Sequence, residues 1–230
     1  MKDFIVNSAY FGVAISLLGY EIGLWIKRKL KFSFINPLLI SIILVIGALL
    51  ALRVDYEAYL SGAKFLSWLL TPATVCLAVP LYEQLSLLKR NLKAVAIGIT
   101  SGVLASLGSI FLLSKLFSLT HQQYVTLLPK SITTAIGMGV SEELGGVVTI
   151  TMAAIVITGI LGNVAAEGIF KLFRIREPIA RGLSLGTASH AIGTARAMEL
   201  GQVEGAMSSL AIAVAGLMTV VLASVFAMLM

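Results

Sequence analysis

The sequence predicts an all-α polytopic membrane protein of about six to eight membrane segments, some of them broken or re-entrant. Three observations predict it. Of 230 residues, 58% are apolar and 12% charged, against roughly 25% charged in a soluble domain, and the mean hydropathy is +0.99. Uncharged runs of the roughly 20 residues needed to cross a bilayer recur along the chain. The cations gather in the short stretches between them. So little polar surface cannot solvate a globule of this size, which excludes soluble enzymes, disordered tails and disulfide-built secreted domains. The length suits a single membrane domain, 1–230.

Taken in order, spans are expected at residues 4–20 (continuing past Glu21 to 26), 32–52, 94–114, 144–166 and 205–230. The first has one flanking lysine, balanced by Asp3, and no small-residue cleavage site, so it reads as a retained span rather than a signal peptide. Asn36-Pro37 opens the second. A sixth apolar run, 65–82, contains Pro72 and Pro80. Proline removes a backbone donor and crowds the preceding turn, so this segment is expected to be kinked or broken.

Basic clusters set the orientation. Lys27, Arg28, Lys29 and Lys31 follow the first span, Lys89, Arg90 and Lys93 follow the 65–82 run, third in chain order, and Lys171, Arg174, Arg176 and Arg181 follow the 144–166 span. Charge bias in short loops places all three in the cytoplasm. The chain is then outside near Thr120 and must start the 144–166 span from outside. Residues 122–143 are therefore expected to enter and leave on one side, as a re-entrant segment, with Glu142 and Glu143 in an exposed loop.

Two stretches are too polar for simple spans and too rich in small residues for water-facing helices. The first runs Leu128-Pro129-Lys130-Ser131-Ile132-Thr133-Thr134 and on to Gly139. Pro129 suits a helix start, and free N–H groups, the hydroxyls of Ser131, Thr133 and Thr134, and the Lys130 charge would attract an anion. Small hydroxyl residues that pack helices closely in lipid give the competing reading. The second stretch, 181–196, holds Gly182, Gly186 and Gly193 with Thr187, Ser189, His190, Thr194 and Arg196. Ionisable groups inside a membrane segment are costly unless paired or hydrated, and by default mark function. For Arg196 the competing reading is a pair with Glu199 at helical spacing near an interface. Irregular backbone at membrane depth survives only where protein buries it or water reaches it. Interrupted segments in both halves of a chain point to a transporter's substrate site. A faint internal similarity suggests an inverted repeat with halves 1–118 and 119–230. Asn163 is expected to cap a broken helix or a crossing.

The remaining chemistry is negative. Cys76 is alone and reads as a small buried hydrophobe. His121 and His190 lie far apart and make no metal site. There is no HExxH and no phosphate-binding loop, so no enzyme and no cofactor are expected. The net charge of +6 is explained by the loops rather than by nucleic acid.

The runs Asn36-Pro37-Leu38-Leu39, Ala78-Val79-Pro80-Leu81-Tyr82-Glu83-Gln84, Leu128-Pro129-Lys130-Ser131-Ile132-Thr133-Thr134 and Gly186-Thr187-Ala188-Ser189-His190-Ala191-Ile192-Gly193-Thr194-Ala195-Arg196 resemble the LrgB/CidB family, which includes the YohK proteins. The likeness covers the chain from about residue 32 onward; Gly137-Met138-Gly139 departs from the Ala-Met-Ala type of run typical there. The resemblance implies two functions. One is an antiholin-like or holin-like regulator of murein hydrolase activity and cell lysis, working with a small LrgA/CidA-type membrane protein. The other, suggested by the related plastid protein, is a carrier of small monocarboxylates of the pyruvate, glycolate or glycerate type.

The residues favour the carrier, because a carboxylate needs N–H groups and hydroxyls in place of its hydration and one or two cations to balance it. The expected substrate site sets Lys130, Ser131, Thr133 and Thr134 against Thr187, Ser189, His190, Thr194 and Arg196. Asn36, Pro37, Pro72, Pro80, Pro129, Gly186 and Gly193 are expected to shape the broken helices. An imidazole at His190 could couple transport to a proton. By fold-level analogy alone, one bundle moves elevator-like against another, held as a homodimer in the inner (plasma) membrane as a multi-pass protein.

Overall fold

Asn36 shows how the helices are started. Its side chain accepts from Leu38 N at 2.8 Å and Leu39 N at 3.2 Å, and Pro37 follows at the first helical position, where a missing N–H costs nothing. The computed structural model describes residues 8, 10–30 and 36–230. The regular structure of these residues is entirely helical, and the chain divides into two compact units, Met1–Cys76 and Leu77–Met230.

The first unit holds α1 (Phe11–Leu30), α2 (Pro37–Leu52), α3 (Tyr56–Trp68) and α4 (Leu70–Cys76). Helix α1 packs on α2 and α3 through a face without side chains. A Cβ at Gly12 would strike the Gly62–Ala63 backbone, and one at Gly23 would lie 3.1 Å from the Pro37 Cα. Ser16 Oγ donates to Gly12 O at 2.7 Å and bonds the Tyr59 hydroxyl at 2.9 Å, tying α1 to α3. Helix α2 stops where Arg53 turns left-handed (φ 49°) and Val54 N reaches back to Leu49 O.

The second unit holds α5 (Ala78–Glu83), α6 (Leu85–Arg90), α7 (Leu92–Leu116), α8 (His121–Leu127), α9 (Thr134–Glu143), α10 (Val148–Leu172), α11 (Pro178–Leu200) and α12 (Gln202–Ala227). Helix α12 is its centre, touching α5, α7, α8, α9 and, most extensively, α11. On α7 one stripe, Val95, Ile99, Val103, Leu107, Ile110 and Ser114, is buried, at the three- and four-residue spacing of a helix face. It shares a core with Tyr124, Val125 and Leu128 and with Ala206, Met207, Ala211 and Ala215 of α12. The Tyr124 hydroxyl donates to Phe226 O at 2.8 Å. Outward faces are also apolar, with Ile97, Leu112, Ile157, Leu161, Leu217 and Val221 exposed, as suits a surface whose solvent is lipid.

Among the described residues, three helices are long and apolar enough to cross a membrane: α7, α10 and α12. They correspond to the runs 94–114, 144–166 and 205–230, with α10 beginning at Val148 because Gly145 (φ 78°) and Gly146 break the chain after α9. Helix α2 is apolar but has 16 residues. The starts of the first two expected spans, residues 4–7 and 32–35, lie outside the described residues. The 65–82 run is broken, as its prolines suggest, and Cys76, expected to be buried, is exposed where α4 ends. Pro72 and Pro80 each stand third in a short helix, α4 and α5, where the first N–H groups lack an intrahelical acceptor anyway. In the 122–143 segment neither α8 nor α9, of 7 and 10 residues, is of spanning length. Glu142 and Glu143 are exposed but end helix α9 rather than lying in a loop.

A hydroxyl network fixes these short helices. Thr151 Oγ1 donates to Thr126 O at 2.8 Å and lies 2.6 Å from Ser141 Oγ, and Thr126 Oγ1 takes the Val147 N–H at 2.8 Å. Three buried side chains thus join α8, α9 and α10 and satisfy one another's polar groups, as backbone and hydroxyls at membrane depth require.

Candidate functional site

Residues 128–133, between α8 and α9, are non-helical, and they put Lys130 and Ser131 at the end of a cleft between α7, α10 and α11. The cleft has a volume of about 580 Å³. Ser131 Oγ accepts from Lys130 Nζ at 3.0 Å and from Ser106 Oγ at 2.9 Å. With both acceptor positions taken, its own proton is left to donate. Ser106 and Ser109 of α7, Thr158 and Gly162 of α10, and Ser184, Thr187 and Ser189 of α11 also line it, and among the described residues no carboxylate does.

The donors are unevenly spent. Ser109, Ser184 and Thr187 give their protons to carbonyls one turn back, Ser106, Arg181 and Leu183 respectively. Ser189 is 1% exposed, and its hydroxyl has no partner among the described residues. That hydroxyl lies over Gly162, where an added Cβ would collide with Ser189 Oγ. A single cation with unused hydroxyl protons in a cleft without acidic groups is an arrangement that takes up a small anion. The cleft also continues along α7 and α11. A second cavity of about 580 Å³ shares Gly102, Ala105, Ser184 and Thr187 and runs to Asn91 and Glu177.

Of the nine residues expected at one site, the cleft collects Lys130, Ser131, Thr187 and Ser189. Thr133 is the residue before α9 and Thr134 its first; neither lines the cleft. Thr194 faces α12, its Oγ1 2.7 Å from Ser208 Oγ and 3.0 Å from His190 O. Arg196 pairs with Glu167 of α10 and Glu199 one turn on. It has gone to carboxylates, and the competing reading of an Arg196–Glu199 pair describes its surroundings. Ser106, Ser109 and Thr158 were absent from the expected set; the only signal was hydroxyls on apolar helices, at positions 106 and 109 one turn apart.

His190 marks the break in α11. Its backbone sits at φ 41°, ψ −134° inside an otherwise helical run, a conformation costing a non-glycine residue about 1–3 kcal/mol. Side chains offset that cost. His190 Nε2 lies 2.9 Å from Ile155 O, so Nε2 carries the proton and donates. The ring rests on Gly159, where a Cβ would lie 2.7 Å from Cε1 and Nε2. Asn163 Nδ2 donates to Ile192 O at 3.1 Å, so this asparagine serves backbone just past the break. Glycines then let α11 and α12 close. A Cβ at Gly186 would meet Ser208 Cα at 3.0 Å, and one at Gly182 would meet Met207 Cβ at 2.9 Å. Gly193 abuts Ser189 Cβ across the break, and Pro129 is fully buried beside Lys130.

Comparison with known proteins agrees with this picture of a helical membrane protein. The LrgB-like family profile matches residues 16–229. Proteins named "Antiholin-like protein LrgB" from Bacillus cereus and Bacillus anthracis are 37% identical over 218 residues, covering 94% of this chain and 95% of theirs. No solved structure matches significantly. With a family profile spanning nearly its whole length and relatives this similar end to end, the chain belongs to the LrgB-like family.

Proposed function

We propose that this protein acts in the cell as an antiholin-like regulator and that its molecular act is the binding and passage of a small monocarboxylate. The first part is supported by relatives that carry the antiholin-like name at 37% identity over 94% of the chain. The second rests on one observation, the cleft in which Lys130 and the unpartnered Ser189 hydroxyl meet. One fixed cation matches one carboxylate, and the Ser131 and Ser189 protons stand in for its hydration. The irregular 128–133 segment and the break at His190 are the kind of discontinuity that carriers use at their binding sites. An elevator-like motion, a homodimer, an LrgA/CidA-type partner and an inner-membrane, multi-pass placement complete the reading.

The test is uptake of labelled pyruvate, glycolate and glycerate by proteoliposomes of this chain, alone and with an LrgA/CidA-type partner. Lys130→Gln removes a charge-assisted hydrogen bond of about 1.5–3 kcal/mol, so affinity is expected to fall about 10- to 150-fold while the protein still inserts. Absence of flux with and without the partner refutes the carrier. Autolysis of cells that changes equally with wild type and Lys130→Gln separates lysis control from the cleft.

A further inference from the structure

A second polar site lies outside the cleft, at the turn between α10 and α11. Helix α10 ends at Leu172; Arg174 takes a left-handed conformation (φ 53°), and Ile175 N returns to Phe170 O at 2.8 Å. Arg181, on the first turns of α11, closes the turn by donating from Nε to Ile175 O at 2.9 Å, with its guanidinium 5.6 Å from the Phe170 ring centre. The result is a pocket of about 210 Å³ lined by Phe170, Lys171, Arg174, Ile175, Arg176 and Arg181. Four cations thus surround one small cavity, and among the described residues none of them is in an ion pair. Glu177, the acid next in sequence, lines the neighbouring cleft instead.

Like charges held this close repel unless an anion joins them. The surroundings say which anion. Leu172 and Phe173, beside the pocket, are 76% and 69% exposed, and α10 has the length and apolarity of a span. The pocket therefore sits where apolar surface gives way to charge, the level of lipid headgroups. Arginine forks suit phosphate oxygens in particular.

We propose that this pocket binds the phosphodiester headgroup of an anionic phospholipid, with Arg174 and Arg176 as its principal ligands and Arg181 as the brace that holds the turn. The site is separate from the Lys130 cleft and does not depend on what that cleft carries.

The test titrates the purified full chain, stripped of lipid, with phosphatidylglycerol, phosphatidylcholine or inorganic phosphate, and counts bound molecules by native mass spectrometry. Phosphatidylglycerol is expected to bind at least tenfold more tightly than phosphatidylcholine, and Arg174→Gln/Arg176→Gln to weaken it about tenfold. Glutamine tolerates the left-handed position as well as arginine does, so the turn is kept. Lys89→Gln/Arg90→Gln, with the same charge change on α6, is expected to leave binding unaltered. Unchanged binding in the first variant, equal loss in the second, or displacement of the lipid by equimolar inorganic phosphate would each overturn the proposal.

Discussion

Gly159→Ala adds one methyl group to α10, and its effect can be worked from the contacts. The new Cβ would lie 2.7 Å from His190 Cε1 and Nε2 and 2.8 Å from Ile192 Cδ1. The ring must then leave its seat, and the 2.9 Å bond to Ile155 O goes with it. Losing a buried hydrogen bond costs about 1–3 kcal/mol, and overpacking adds about 1–3 kcal/mol. The better helix propensity of alanine returns about 1 kcal/mol. The net expectation is a loss of about 3 kcal/mol. Gly168→Ala on the same helix is the control, because nothing lies within 4 Å of its added Cβ; there only the propensity gain of about 1 kcal/mol applies. Reversible unfolding in mixed detergent micelles, followed by circular dichroism, measures both. Equal stability of the two variants would refute the claim that His190 braces the break.

Three further outcomes are expected. Thr194→Val removes the hydroxyl that meets Ser208 between α11 and α12, costing about 0.6–1.7 kcal/mol in the same unfolding assay. Asn36→Ala strips the cap from α2 and costs about 1 kcal/mol; Asn36→Asp, which keeps the acceptor, recovers most of it. Arg196→Gln leaves Glu167 without this pairing and lowers the melting temperature, while the half-saturation concentration for carboxylate uptake stays as in the wild type, because Arg196 does not line the cleft.

Much of the fold is legible in the sequence for a simple reason. In lipid the only continuous solution for twenty apolar residues is a helix, so α7, α10 and α12 follow from hydropathy alone. The breaks are legible where the chemistry is local, as at Pro72, Pro80 and the glycine-rich approach to His190. The partners are not. Whether Arg196 meets a substrate or Glu167 depends on how α10 is rotated against α11, and a carboxylate 29 positions away in the chain carries no local mark of that. Ser106 was missed for the same reason, since nothing on α7 announces that Ser131 will lie 2.9 Å away. Thr133 and Thr134 share a motif with Lys130, yet the turn that frees Lys130 also starts α9 and directs them elsewhere.

The central place of α12 has a consequence for how the molecule is made. Residues 202–227 leave the ribosome after α7 and α11, yet the glycine face of α11 and the Val95–Ile110 stripe of α7 both pack on them. Until that segment is synthesised, the Val95–Ile110 stripe has only Tyr124, Val125, Leu128 and Leu183 to pack against, and the glycine face of α11 lacks its closest partner. The bonds that join α8, α9 and α10 and those that seat His190 and Ile192 of α11 on α10 do not involve α12, so they are free to form first, and closure of the α7 and α11 faces on α12 is the step that completes this unit.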